Sequence, residues 1–412
     1  MLLHLFRTIA TQWKSNLWIG AELFVSFICL WVITSLLIQL SYRNWMDKGF
    51  DIQHVYRVYI AHQEEDTNGY RADSKVEEEL RELADRIRRY AGVEAAGFTD
   101  ELAFPYTVSN SGRMAYHDTL SAHGSSGKMT PDVVSVFRYC PVDNRINLRA
   151  EAVPETYLVS RSIMDKIFPG GAVKGYIRTD EKGKDDKLGI AVTSEIGRCE
   201  YFSNEEPFMR KLINEERFLK SRGEGAQLFF RVRPEADHDF LDRFYKEMKG
   251  RLQVGNSMVT TITPMPVFRK QVINMAGIDF YYTFAYLFGG FFLFCAFLGV
   301  IGTFWFRTEA RRAEIGLRMA LGASRRQVQW EMVGEGLALF ASAWLPGIIL
   351  LFLLRSSLFG FTDYALPLPD FLFFLLISVM VTLLLALLII AGIWYPARQA
   401  SRINPVDALH YE

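Results

Sequence analysis

Residues Phe371 to Tyr395 read FLFFLLISVMVTLLLALLIIAGIWY, 25 residues without a charged side chain. As a helix this run would be about 37 Å long, more than the ~30 Å hydrocarbon core of a bilayer. Backbone N–H and C=O groups find no water in hydrocarbon, so a run of this kind has to be helical. Working outward, three more windows share its character: Leu337 to Leu354, Phe280 to Phe306 and Leu23 to Leu40. Each approaches or exceeds the ~18 apolar residues of a spanning helix. The first of the four exceeds the ~7 to 15 residues of a signal-peptide core, and no small-x-small cleavage pattern follows it, so it reads as an uncleaved anchor.

The chain of 412 residues carries 46 basic and 46 acidic side chains. With no net positive excess, nucleic acid is not an expected partner, and the placement of the charges carries the information. Between the second and third spans stand Arg307, Arg311, Arg312, Arg318, Arg325 and Arg326, whereas the connection from 355 to 370 holds only Arg355. Basic residues in short loops favour the cytoplasmic side. Both termini are therefore expected in the cytoplasm of a multi-pass protein of the cell (inner) membrane. The expected division is an amphipathic interfacial helix at 1–18, spans at 19–42, 280–306, 337–354 and 371–395, an extracytoplasmic domain at 43–279, a cytoplasmic segment at 307–336, a short external loop at 355–370 and a cytoplasmic tail at 396–412.

Leu2, Phe6, Ile9, Trp13 and Leu17 recur at helical spacing. They describe either a helix lying in the interface or a cytoplasmic extension of the first span. Glu22 reads as an interfacial residue or as a buried acid. The large segment opens with a β-rich run, Val55 to Ile60, followed by a helix with the stripe Val76, Leu80, Leu83 and Ile87. Ser74 with Glu77 forms a capping box, and Gly92 suits the helix end. The order recurs further on, with Leu228 to Val232 as a strand and Leu241, Phe244, Met248 and Leu252 on one helix face. Short strands are expected at Tyr157 to Val159 and Ile190 to Thr193, with a solvated hairpin tip at Thr179 to Lys187. The fold class is thus a membrane protein of four transmembrane α-helices with an inserted α+β extracytoplasmic domain, built as a small duplicated base around a β-rich lobe. Cys140 and Cys199 fall in that domain, either as a disulfide or as two free thiols.

In the second span Ala285, Gly289, Ala296 and Gly299 lie near one face, joined by Thr303. Small side chains let another helix approach closely, either within this chain or across a dimer. After this span comes RTEARRAEIGLRMALGASRRQVQWEMVGEGLAL, Arg307 to Leu339. A short helix is expected from Ala310 to Leu321, ended by Gly322, with Ser324 and Gln327 as a capping box for the next helix. Such a helix-turn-helix suits docking onto a partner, although a basic loop that merely obeys the orientation rule fits the same residues.

The run EIGLRMALGASRRQV resembles the coupling segment of the MacB/FtsX-type ABC permease family, and the tail YPARQASRINPVDALHYE resembles the ending of that family. FDIQHVYRV, PDVVSVFRY and ETYLVSRSIMDKIFPGG are more weakly similar to parts of its extracytoplasmic core domain, whereas Ala115 to Gly127 matches no part of it. The resemblance implies a non-catalytic permease subunit that dimerises, as a homodimer or paired with another permease, and binds a cytoplasmic ABC ATPase. Arg311, Arg312, Glu314, Ile315, Gly316, Arg318, Ala320, Leu321, Gly322, Ala323 and Ser324 would then form the ATPase-coupling segment. ATP and Mg would be bound by the partner ATPase and no cofactor by this chain. ATP-driven closure would be passed to the external domain to export or extract a substrate, with a lipoprotein, peptide or other protein as external partner. The alternative is a signalling complex of the same architecture acting on a partner such as a cell-wall hydrolase.

Other chemistry finds little support. The nearest approach to a phosphate loop, GSSGKMT at Gly124 to Thr130, has Met129 where Ser or Thr must follow the Lys. The seven histidines are dispersed, with no His-Glu-x-x-His, no Cys-x-x-Cys and no Gly-x-Ser-x-Gly. No catalytic or metal-binding residue is assigned.

Overall fold

The computed structural model describes residues 13–62, 74–109, 111–179, 186–195, 199, 201, 207–360 and 369–401. The chain divides into two compact units, 1–43 with 279–412 and 44–278. In the first unit four helices are long and apolar enough to cross a membrane. They belong to α1 (Trp13–Trp45), α9 (Ile278–Ala310), α11 (Arg325–Gly360) and α12 (Asp370–Ala400), numbered in chain order with the elements given below. All four outrun the uncharged windows because a helix ends where its backbone is capped, not where the hydrocarbon stops. The expected boundary after residue 18 therefore falls inside a continuous helix, while Leu2, Phe6 and Ile9 lie outside the described residues. By the same extension, the second and third long helices leave only 311–324 between them, so the expected cytoplasmic segment 307–336 includes an end of each.

The helices share one core, in which Phe27 and Trp31 of α1, Val300 and Phe304 of α9, Val333 and Phe340 of α11, and Ile377, Leu385 and Ile393 of α12 are buried together. Hydrocarbon offers no hydrophobic drive between helices, so close packing has to supply the attraction. Glycines permit it: a Cβ on Gly336 would stand 2.1 Å from Ile393 Cδ1, and one on Gly392 3.0 Å from Val300 Cγ1. Buried polar side chains are paired across helices. Trp31 Nε1 donates to Ser378 Oγ at 3.0 Å and Trp344 Nε1 to Thr382 Oγ1 at 2.8 Å. Leu383 and Leu387 on the opposite side of α12 are exposed, as lipid-facing residues should be.

The second unit is the α+β domain. Its base is made by β1 (Val55–His62), α2 (Ser74–Arg88) and β2 (Val93–Thr99), then by β9 (Gln227–Val232), α7 (Phe240–Glu247), β10 (Gln253–Val254) and β11 (Ser257–Pro264). The strands lie in the order β11-β1-β9-β2, every neighbour antiparallel, which is a split βαβ arrangement. The duplicated strand-helix order read in the sequence is the cause. Each helix presents its apolar stripe to one face of the sheet, so that Val76, Leu80, Leu83 and Ile87 of α2 meet Phe240 and Phe244 of α7 over Phe98, Leu228 and Phe230. Gly92 takes φ +96°, and a Cβ there would meet Ala236 Cβ at 2.8 Å.

Residues 100–226 form the inserted lobe: β3 (Gly112–His117), β4 (Leu120–Met129), α3 (Val133–Phe137), α4 (Leu148–Glu151), β5 (Tyr157–Ser160), α5 (Arg161–Ile167), β6 (Lys174–Ile177), β7 (Lys187–Val192), β8 (Phe208–Leu212) and α6 (Glu215–Arg222). The segment that matched no family pattern is the β3-β4 hairpin. Of the expected charged hairpin tip, residues 180–185 lie outside the described residues, while β6 and β7 pair antiparallel up to Ile177 and Lys187. The lobe is not a separate sheet. Its path β4-β8-β5-β7-β6 joins β2 through the pair Thr99 and Met129, making one sheet of 11 strands. Thr130 Oγ1 reinforces the seam by accepting from Phe98 N–H at 3.0 Å. Cys140 is exposed and Cys199 buried, and the two are not joined in a disulfide.

The start of the domain is held by a buried cation. Arg231 on β9 is fully buried, and donates to Val136 O at 2.6 Å, Asp51 O at 2.7 Å and Asp51 Oδ2 at 3.0 Å. A buried guanidinium has to be compensated, and here two carbonyls and a carboxylate do it. The segment that opens the domain is thereby fixed to a central strand of its sheet. At the other end α8 (Met265–Met275) stops two residues before α9, and Gly277 between them takes φ +72°, a conformation for which glycine is suited.

Candidate coupling site

The segment expected to couple contains a single short helix, α10 (Arg312–Ala320), set between the ends of α9 and α11. It ends in a Schellman turn, with Gly322 at φ +102°, Gly322 N–H donating to Met319 O and Ala323 N–H to Arg318 O. Ser324 then caps α11, its Oγ accepting from Gln327 N–H at 3.2 Å. Both signals were legible in the sequence. The α10 helix is shorter than the expected Ala310 to Leu321 because Ala310 completes α9, and Arg311 forms the corner with φ −104° and ψ 14°.

One side of α10 is apolar and packed inward. Ile315 and Gly316 are buried, and Ile315 joins Val328 of α11 and Ala400 of α12 in a small cluster that Met319, Ala323 and Met332 complete. The flank is ionic. Glu335 of α11, only 8% exposed, accepts from Arg307 Nη1 at 3.2 Å and from Arg311 Nη1 at 2.9 Å. Arg311 also donates to Glu314 at 3.0 Å, Glu314 pairs with Arg318 at 2.5 Å, and Arg318 reaches Glu331 of α11 at 3.2 Å. Arg312 pairs with Glu309 at 3.1 Å. The Arg311 hydrogen bond holds the Glu314 carboxyl below its ordinary range, and the same bond raises the Arg311 guanidinium. The row of ion pairs staples α10 to α11.

What remains outward is Leu317 and Leu321, one turn apart and 50% and 81% exposed, beside exposed Ala313, Ala320 and Gly322. The structure therefore sorts the sequence-derived residues. Ile315, Gly316 and Ala323 anchor the helix, Arg311, Glu314 and Arg318 bind it to its own chain, and Ala320, Leu321 and Gly322 face outward. Glu331 and Glu335 were missed. Their spacing of four on the α11 face after the capped start was the available signal.

The small face of the second span is used within the chain. Ala285 and Ala296 are buried, a Cβ on Gly289 would stand 3.4 Å from Ile33 Cγ2, and one on Gly299 would stand 2.1 Å from the half-buried Glu22 carboxylate. First and second spans therefore meet along it. Among the described residues no cluster of His, Cys, Asp and Glu could hold a metal ion.

Replacing Glu335 with Leu would leave Arg307 and Arg311 without their shared carboxylate. Removing one member of a buried pair costs about 3–5 kcal/mol, and this partly shielded one should cost about 2 kcal/mol or more. The detergent-solubilised variant should melt several degrees lower, whereas Arg312→Ala should change stability by less than about 0.5 kcal/mol because its pair is exposed. Equal melting of the two variants would refute the clamp.

A family model described as FtsX-like permease C-terminal matches residues 286–405, which contain α10 and its clamp. Curated relatives include the macrolide export ATP-binding/permease protein MacB of Chlorobium luteolum, 31% identical over 116 residues, and that of Rhodopirellula baltica, 33% identical over 119 residues. In each case the match covers 28% of this chain and 16% of the relative, so the chain spans about a sixth of those proteins. Among solved structures, the extracellular domain of the noncanonic ABC-type transporter YknZ from Gram-positive bacteria gives a TM-score of 0.31 at 9% identity, over 50% of this chain and all of that one. A domain of a putative permease from Porphyromonas gingivalis gives 0.30 at 16% identity, over 52% of this chain and 90% of that one. Residues 286–405 are thus similar to the C-terminal part of FtsX-like permeases, in a chain with four helices long and apolar enough to cross a membrane.

Proposed function

We propose that this chain is the transmembrane subunit of an ABC transporter whose ATP is hydrolysed by a separate cytoplasmic ATPase, with ATP and Mg held by that partner. The observation that carries the reading is the exposed pair Leu317 and Leu321 on a helix whose other sides are locked into the bundle. An apolar pair presented to water on a rigid, charged mount is the pattern of a docking surface. Force applied at α10 would enter α9 and α11 through Arg311 and Glu335 without a flexible step. The α9 helix of 33 residues is about 50 Å long at 1.5 Å per residue, so it reaches beyond a ~30 Å hydrocarbon core. It carries the movement to the inserted domain, which acts on a substrate or protein outside the cell membrane. Export and external signalling would share this transmission.

Leu317→Glu and Leu321→Glu should leave the melting temperature nearly unchanged and reduce recovery of the co-expressed ATPase with the solubilised chain at least tenfold. Recovery equal to the parent chain would exclude docking through α10. Tenfold corresponds to about 1.4 kcal/mol, less than the burial of one leucine contributes.

Orientation is tested with a membrane-impermeant thiol reagent on intact spheroplasts, in a chain whose native cysteines are serine. A cysteine at Asp242 should be labelled and one at Ala320 should not; labelling at Ala320 alone would invert the topology.

Transmission is tested at the α8-α9 joint. Three glycines inserted after Gly277 should leave membrane insertion and ATPase recovery intact and abolish cellular activity. A functionally silent insertion would make the inserted domain a passive binding module.

A further inference from the structure

A second site lies in the inserted lobe. On the parallel ladder of β4 and β8, Lys128 stands directly opposite Lys211, and Ser126 opposite Met209. Residues directly opposite on a ladder share a face, so both lysines project from the same side of the sheet. They line a cavity of about 170 Å³ together with Arg113, Arg222, Ser126 and Tyr157.

Like charges directly across a ladder repel. The anions nearby are already engaged. Asp100, 2% exposed in its side chain, accepts from Leu102 N–H at 3.0 Å, from Lys128 N–H at 2.9 Å and from Arg222 Nη2 at 2.8 Å. Glu155 pairs with Lys211 at 2.9 Å but also with Arg217 at 2.9 Å and Lys187 at 3.7 Å. Among the described residues neither the Lys128 ammonium nor the Arg113 guanidinium has an ion-pair partner. Burial pushes the Lys128 ammonium down, and Arg222, Lys211 and Arg113 push it further, against Asp100. The site therefore stores electrostatic repulsion that a bound anion would relieve.

The size and charge of the cavity narrow the ligand. Pockets for drug-sized molecules run to about 300–1,000 Å³, so this one takes a compact group. The lining residues Arg113, Lys128, Lys211 and Arg222 outnumber the lining acid Asp100 by three, and Glu155 behind Lys211 is shared with Arg217 and Lys187, so the surplus exceeds what one carboxylate neutralises and favours a dianion. Two guanidinium forks suit tetrahedral oxyanions, and the lysines add point charges. We propose that this cavity binds a phosphate-class dianion through Lys128, Lys211, Arg113 and Arg222.

The test uses the full-length chain in phosphatidylcholine nanodiscs, with lysines carrying ¹³C-dimethyl groups. Inorganic phosphate should shift the Lys128 and Lys211 resonances saturably, and acetate at equal ionic strength should not. Lys128→Gln and Arg113→Gln should each weaken the Lys211 response to phosphate at least tenfold with an unchanged melting temperature, and Lys187→Gln should leave it intact. Glycerol 3-phosphate distinguishes the source: tighter binding than inorganic phosphate indicates an esterified phosphate on an envelope molecule, weaker binding the free ion. No saturable shift with either phosphate, an equal response to acetate, or binding indifferent to both substitutions would overturn the proposal. No ATPase is present, so the outcome is independent of the transport reading.

Discussion

Everything that α10 can do depends on one carboxylate. Glu335 receives Arg307 from the end of α9 and Arg311 from the corner, and so fixes three helical segments at one point. Each partner alone would be expensive at this depth, since a partly buried guanidinium without a counter-charge is strongly penalised. Together they compensate one another, and the geometry that satisfies them is narrow. Rotating α10 out of place would break the Glu335 clamp, the Arg318–Glu331 bridge and the Ile315 cluster at once. A segment of fourteen residues between two long helices is thereby made stiff, although its length alone would allow it to be a loose loop.

The bundle beneath it obeys a different economy. In hydrocarbon the gain comes from contact, so the glycines at 299, 336 and 392 matter because their neighbours occupy the space that a side chain would need. The face with Ala285, Gly289, Ala296 and Gly299 was compatible with a dimer contact or an internal one, and the first span takes it.

Much of this could be read from the residues because the signals were local. Uncharged windows marked the spans, an apolar stripe at helical spacing marked α2, and Gly322 with Ser324 marked the turn between α10 and α11. The duplicated base was legible as a repeated strand-helix order. What escaped was long-range. Nothing local to Thr99 and Met129 announces that base and lobe form one sheet, and nothing near Arg231 says that Asp51, 180 positions earlier, is its counter-charge. Glu335 escaped for the same reason: within its own helix it looks like one more exposed acid. Helix ends escaped because charge marks the hydrocarbon edge, whereas capping decides where the backbone stops.

The charged residues of α10 at first suggest an electrostatic handshake with a partner, but the pairing argues otherwise. Exchanging the charges of Glu314 and Arg318 would preserve their own pair, yet it would set an arginine beside Arg311 and a glutamate beside Glu331. Any loss of activity after such a swap would report a damaged mount as readily as a damaged contact. The energetics favour the same division of labour. Exposed ion pairs contribute roughly 0–1 kcal/mol, whereas burying a leucine contributes about 1.5–3 kcal/mol. Leu317 and Leu321, the two large apolar side chains that α10 leaves exposed, can therefore outweigh its whole ionic row in binding. The charges hold the helix in place, and its leucines are free to be covered.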